Sequence, residues 1–231
     1  MRDDVAVSPG IDRLYPSPCG TEQNGVSIGL VASQMAMIDQ LEAALRENRS
    51  LSEIVERFDE IVLPDGWLVA GAIAQTVWNL SGGYPAERGI KDADIVYYDA
   101  ADLSAETEAA HEARLRALFA HLPIKLDVKN EARVHLWYEK VFGYPIVAYI
   151  SAASAIASFP TTATSIGVRR FADGFECCAP FGLDDLFGLV VRPNRAQITA
   201  PIYEAKVARW RLLWPHLTFL PWGAGGAIKV P

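Results

Sequence analysis

The segment Ile124-Lys125-Leu126-Asp127-Val128-Lys129 alternates apolar and polar residues without a break. Side chains in a strand repeat every second residue, so Ile124, Leu126 and Val128 share one face, and Lys125, Asp127 and Lys129 the other. This is the clearest strand pattern in the chain. A second strand is expected at Lys91-Asp92-Ala93-Asp94-Ile95-Val96-Tyr97-Tyr98, which is dense in β-favouring residues after an acidic start. There Asp92 and Asp94 point one way and Ala93 and Ile95 the other. Two like charges side by side destabilise a sheet unless a cation or hydrogen-bond donors compensate.

Helical and extended patterns alternate along the rest of the chain. Ile28, Leu30, Val31, Met35, Ile38, Leu41 and Leu45 mark an amphipathic helix ending near Asn48. Ser50 with Glu53 reads as a capping box for a short helix with Ile54, Val55 and Phe58 on its apolar face. The turn Leu63-Pro64-Asp65-Gly66 leads into a short buried strand, Trp67 to Ala70; Gly71 ends it and a helix follows from Ala72 to Leu80. Glu106 to His121 is a helix with Leu115, Leu118 and Phe119 on one face. Later come a helix from Ser151 to Phe159, a strand pair (Thr164 to Val168, Phe175 to Ala179) around Asp173-Gly174, and a last helix from Tyr203 to Trp214. Repeats are absent and no linker separates two cores. The fold class is α/β (α+β), with residues 28–231 as a single domain behind an extended or disordered arm, residues 1–27.

A chain of 231 residues buries most of its apolar surface without disulfides. Its cysteines, Cys19, Cys177 and Cys178, form no CxxC or CxxH spacing, which suits a reducing cytosol better than a disulfide framework or a zinc site. No apolar run follows Met1, so no signal peptide is expected and the location reads as cytoplasmic. Val141 to Val168 carries no charge and is long enough to span a bilayer, but Gly143, Pro145 and Pro160 mark it as part of a soluble domain. The net charge of −7 argues against a general nucleic-acid-binding surface, because neutralising phosphates needs a basic excess. A small basic nucleotide pocket remains compatible with it.

Asp92 and Asp94 are the leading candidate for chemistry. Mg²⁺ is a hard cation that takes one or two protein carboxylates together with substrate phosphates and water. Should the 124–129 strand lie beside them, Asp127 completes a three-carboxylate cluster of the kind that holds catalytic ions. A strand ending in Gly71, a helix and the Gly-rich loop Ser81-Gly82-Gly83 precede the acidic strand.

In that order of parts the sequence resembles the polymerase-β-like nucleotidyltransferase superfamily, and more narrowly a family of bacterial nucleotidyltransferase-like proteins. The stretches that carry the resemblance begin with Gly71-Ala72-Ile73, Thr76-Val77-Trp78-Asn79, Gly83-Tyr84-Pro85 and Lys91 to Tyr97. Val128 to Tyr138 and Ala179 to Leu189 complete them. The resemblance implies a small mixed sheet flanked by helices, with extra C-terminal strands and a helix. It implies Mg²⁺, with Mn²⁺ as an alternative, held by Asp92, Asp94 and Asp127. It also implies an NTP substrate whose phosphates approach the backbone at Gly71. The reaction would move a nucleoside monophosphate to an acceptor and release pyrophosphate; a nucleotide-binding or regulatory protein with the same fold is the alternative. Where many relatives have Gly or Ser after the glycine, this chain has Ala72, which removes a hydroxyl from the phosphate grip. The absence of a basic stripe favours a small-molecule or protein acceptor over a polynucleotide.

Other residues carry two readings each. Lys91, Lys129, Asn130 and Arg133 are candidates for nucleotide contact; Arg133 suits a bidentate phosphate contact or an ion pair with Glu131 or Asp185, and Lys91 a phosphate or a solvated turn. His135 is a substrate contact or a hydrogen-bonded core residue. Trp137, Tyr138, Trp210 and Trp214 stack a base or fill the core. Asp184 and Asp185 belong to a site or a structural cap, and Ser81-Gly82-Gly83 wraps a phosphate or only joins a helix to a strand.

Overall fold

The computed structural model describes residues 26–172 and 174–223, with side chains from residue 31. The arm expected over 1–27 lies outside them except for its last two residues, which begin the first helix; Cys19 and Asp173 also lie outside. Helices α1 (Val26–Arg46) and α2 (Arg49–Glu56) come first. The cap of α2 is Asn48, not the expected Ser50: Asn48 Oδ1 accepts from Leu51 N at 3.1 Å, and its amide donates to Thr76 Oγ1 at 2.9 Å. Asn48 is fully buried, so both ends of its amide need those partners. Glu53 therefore faces outward and pairs with Arg57 and His121.

Strand β1 (Trp67–Val69) turns directly into α3 (Gly71–Ser81), and β2 (Asp92–Tyr97) is followed by α4 (Ala105–Leu118) and β3 (Lys125–Asn130). A 3-10 segment, Glu131–Leu136, leads to the short helices α5 (Tyr138–Phe142) and α6 (Ala152–Ile156). The hairpin of β4 (Gly167–Phe171) and β5 (Gly174–Cys178) is the expected strand pair, with β4 displaced because Thr162–Thr164 winds into a 3-10 turn. Then come α7 (Asp184–Phe187), β6 (Val190–Val191), α8 (Ala200–Leu213) and β7 (Thr218–Phe219); β6 and β7 pair into a small second sheet.

The main sheet has the order β3-β2-β1-β4-β5, with β2 and β3 parallel and the other pairs antiparallel. The crossover between the parallel strands is α4, as parallel pairing requires a long connection. On one face Leu68, Ala93, Ile95, Leu126, Val128 and Val168 join Leu41, Ile54, Ile73, Trp78 and Leu115 in the main core. Burying each such aliphatic side chain contributes roughly 1.5–3 kcal/mol, so the alternation in β2 and β3 fixes which face turns inward. On the other face Trp67, Val69 and Val96 are covered by Ala152 and Ile156 of α6. Gly167 permits that cover, since a Cβ there would sit 2.9 Å from Ile156 Cδ1. The cover stops short of the acidic end of β2, where Asp92 stays exposed.

As an edge strand, β3 would offer unpaired backbone groups. Three side chains four residues apart on α4 satisfy them. Arg116 Nε donates to Leu126 O at 2.9 Å, Glu112 Oε2 accepts from Val128 N at 3.3 Å, and Glu108 Oε2 accepts from Asn130 N at 2.8 Å. The uncharged stretch from Val141 to Val168 folds into α6, turns and the start of β4, and no helix among the described residues is long and apolar enough to cross a membrane.

Candidate active site

In the sheet register Asp94 lies between Val69 of β1 and Asp127 of β3, and Asp92 lies beside Lys125. Asp92, Asp94 and Asp127 therefore share the face that α6 leaves partly open. Asp92 and Asp94 also line a cavity of about 560 Å³. Its other walls are Ala70 and Gly71 at the turn into α3, Lys91 before β2, and Lys206 and Arg209 of α8.

The turn into α3 is strained. Ala70 has φ 60° and ψ −122°, a backbone region that costs an L-residue roughly 1–3 kcal/mol, and its N–H donates to Ile166 O at 2.9 Å. Helix α3 has no side-chain cap, so the amides of its first turn face the cavity end without an intrahelical partner. At Gly71 a Cβ would meet only Gln75 Nε2, at 3.0 Å, the tip of a flexible side chain. Packing does not demand glycine there; its bareness keeps the cavity wall open.

Burial, then repulsion from Asp92 and Asp127, pushes the Asp94 carboxyl up to about 6, with Lys206 and Lys129 opposing the rise. An added cation beside Asp94 would relieve that repulsion. Asp127 is held differently. Lys129 Nζ donates to Asp127 Oδ1 at 2.7 Å and lies 3.4 Å from Glu112 Oε2. Burial works against the Asp127 charge, yet the Lys129 contact outweighs it and keeps the carboxyl below its ordinary value. Burial, then Glu108 and Asp94, pushes Glu131 at the end of β3 up to about 8, making it a neutral acid at pH 7.

Asp92, Asp94 and Asp127 share one strand face, and after burial the two flanking carboxylates help raise the Asp94 carboxyl, although among the described residues no three His, Cys, Asp or Glu side chains gather as a ready metal cage. The register aligns Asp127 with Asp94, but the Lys129 ammonium occupies its carboxylate. Asn130 is buried and spent on structure, with its amide donating to Asp99 O and Asp102 O and its Oδ1 accepting from Asp99 N and Ala132 N. Arg133 pairs with Glu108 at 2.6 Å, neither with Glu131 nor with Asp185, because Glu108 reaches the end of β3 from α4. Asp185 instead holds Arg192 at 2.8 Å. Ala72 is buried in the core, so its side chain does not reach the cavity. Of the residues expected to contact nucleotide, Gly71 and Lys91 line the cavity with Asp92 and Asp94; Lys129, Asn130 and Arg133 belong to the α4–β3 flank.

The aromatic residues divide. Trp210 and Trp214 are buried against Trp78 and also line the cavity, and Trp214 Nε1 donates to Asn79 Oδ1 at 2.6 Å. Tyr138 stacks on Phe142 within the 131–142 segment. His135 is half-buried, but its Nδ1 has no hydrogen-bond partner among the described residues, unlike the bonded core histidine expected. Gly82 is packed against His216 and Tyr84 and does not line the cavity.

A family model described as Nucleotidyltransferase matches residues 56–219, a span that holds the turn into α3, the acidic strand and all of α8. The chain belongs to this nucleotidyltransferase family. Among solved structures it is similar to a protein whose NMR structure is described as revealing a CCA-adding enzyme head domain. That likeness has 25% sequence identity and a TM-score of 0.65, and covers 79% of this chain and 95% of the other. A comparison with curated proteins finds no match. The nucleotidyltransferase fold thus accounts for the mixed sheet and its helices. Sequence reasoning passed over Lys206 and Arg209. Their spacing of three put them on one face of the last helix, but nothing in the sequence placed that face across from Asp92.

Proposed function

We propose that this nucleotidyltransferase moves a nucleoside monophosphate from an NTP to an acceptor, with release of pyrophosphate and with Mg²⁺ held by Asp92 and Asp94. The observation that carries the reading is that the paired carboxylates of β2 open into the same cavity as the bare, uncapped start of α3. The donor set fits the ion. Two carboxylates on one strand face match the one or two that Mg²⁺ takes from protein, and the raised Asp94 carboxyl marks a place where positive charge is wanted. When bound, Mg²⁺ would neutralise phosphate charge and orient the transferring group; Mn²⁺ would serve the same purpose.

The chain's own residues bind and position. The first amides of α3 are suited to phosphate oxygens because a helix N-terminus carries partial positive charge. Gly71 lets those oxygens approach the backbone. Asp127 shares the strand face of the metal pair, and once released by Lys129 it can join the metal or accept the acceptor's proton. Lys129 then still has Glu112 within reach. An acidic chain whose carboxylate-lined cavity carries, among the described residues, only Lys91, Lys206 and Arg209 as cations suits a small-molecule or protein acceptor, and the cytoplasm supplies both NTP and Mg²⁺.

One observation favours a second reading, a nucleotide-binding or regulatory protein that turns little over: Asp127 is already neutralised by its own lysine. Incubation with each NTP and Mg²⁺ or Mn²⁺ against small molecules, proteins and RNA, with pyrophosphate as the readout, separates the two. Metal-dependent pyrophosphate release with an acceptor supports transfer. Nucleotide binding without release from any acceptor supports the regulatory reading.

A further inference from the structure

We propose that Lys206 and Arg209 of α8 form an anion-binding wall that grips the polyphosphate tail of the nucleotide across the cavity from Asp92 and Asp94, with Lys91 contributing from the β2 side. The inference deepens the transferase reading and rests on it for the identity of the ligand. Its first support is a contrast among the cations. Arg57, Arg116, Lys129, Arg133, Arg169 and Arg192 each lie within salt-bridge distance of a carboxylate. Lys91, Lys206 and Arg209 make no ion pair among the described residues, and unlike other cations without one, such as Lys140 and Arg211, they line a cavity that also holds two aspartates.

The second support is placement. Lys206 and Arg209 are three residues apart on one helix and so share a face. Like charges at that spacing repel, which is unfavourable unless an anion sits between them and relieves it. Burial, then Arg209, lowers the Lys206 pKa, while Asp94 and Asp92 work the other way. The β2 carboxylates thus sense Lys206 across the cavity without pairing with it. A volume of about 560 Å³ separates the two walls, room for a nucleotide-sized ligand. A polyphosphate with its bound cation is the ligand that presents negative charge to α8 and positive charge to β2 at once. The start of α3 offers amides on a third side.

The test is calorimetric titration with sodium tripolyphosphate in Mg²⁺, and separately with AMP, on the full chain. Lys206→Gln with Arg209→Gln is expected to weaken tripolyphosphate binding about 100-fold, near tenfold for each charge-assisted contact, and to leave AMP binding unchanged. Arg209→Gln alone, at an exposed position, gives about a tenfold loss and guards against misfolding of the double variant. Lys206→Arg should retain most of the affinity. Unchanged tripolyphosphate affinity in the double variant, no binding by the wild type, or an equal loss for AMP would each overturn the wall. Failure of the transferase reading looks different: tripolyphosphate bound through Lys206 and Arg209 with no turnover of any NTP. Turnover by the double variant at an unchanged KM for NTP would retain transfer and remove the wall.

Discussion

On the β3 side of Asp94 the charges pair among themselves: Asp127 with Lys129, Glu112 with Arg116, Glu108 with Arg133. On the α8 side Asp92, Asp94, Lys91, Lys206 and Arg209 form no ion pair among the described residues. Both flanks are rich in charge, and each holds a cation expected to contact nucleotide, Lys129 and Arg133 on one and Lys91 on the other. The difference teaches which charges serve the fold. Glu108, Glu112 and Arg133 are mostly buried and are paired, since a charge buried without a partner is costly. Lys91, Asp92 and Arg209, by contrast, are exposed, and half-buried Lys206 beside the cavity has no ion pair among the described residues. Where pairing is absent around a cavity, a ligand is the natural complement.

The sharpest way to break this comparison is Asp94→Asn. Metal-dependent nucleotide turnover should fall by roughly three orders of magnitude, given that metal-held charge stabilisation contributes several kcal/mol. The fold should survive, because the change removes repulsion from Asp92 and Asp127. Mn²⁺ titration followed by paramagnetic resonance measures the site directly, and unchanged affinity would sink the metal pair.

Next in size is Arg133→Ala, on the paired flank. It leaves Glu108 charged and mostly buried, which costs roughly 3–5 kcal/mol of stability in urea denaturation. Nucleotide affinity of the folded fraction should stay the same. Weakened nucleotide binding with unchanged stability would mean that the α4–β3 flank takes part in the site after all.

Gly71→Ala is smaller. Its Cβ displaces only the Gln75 tip, so stability should change by less than about 0.5 kcal/mol, as for ordinary surface changes. The methyl group intrudes on the phosphate approach, and KM for NTP should rise roughly tenfold, about 1.4 kcal/mol. A loss of stability without a change in KM would make Gly71 a packing residue.

The smallest effect is a titration. Asp94 is raised above its ordinary value to about 6, so its proton is favoured in the folded state. The attendant destabilisation is present above pH 6 and disappears as pH falls from about 6 toward the ordinary carboxylate range. Metal binding runs the other way: full above pH 6 and weakening as protons compete below it. Carbon-13 NMR of the Asp94 carboxyl should show a midpoint near 6 that drops in Asp92→Asn; a midpoint near 4 in the wild type would show that neither burial nor repulsion raises it.

Much of this was legible in the chain. The alternation of Ile124 to Lys129 and the parity of Asp92 and Asp94 gave both strands and the faces of their side chains. Gly71 marked the turn into α3 to within a residue, because glycine after a buried strand is a local signal. The cap of α2 falls on Asn48 and not Ser50: Asn48 Oδ1 accepts from Leu51 N three residues on, and the tertiary bond to Thr76 holds the amide in that orientation. The 129–133 segment was read toward the nucleotide because its partners, Glu108 and Glu112, sit on α4 some twenty residues away in sequence.

Local periodicity and side-chain parity, then, determined from sequence alone that two aspartates would share one strand face and that a second polar strand face would carry Asp127. Short-range geometry is enough for that, because the pleat repeats every two residues regardless of context. Only the tertiary structure decided that β2 and β3 lie parallel in register, that Lys129 neutralises Asp127, and that α8 brings Lys206 and Arg209 to face Asp92 and Asp94. Those outcomes depend on which distant elements pack together, and on which charges find partners when they do.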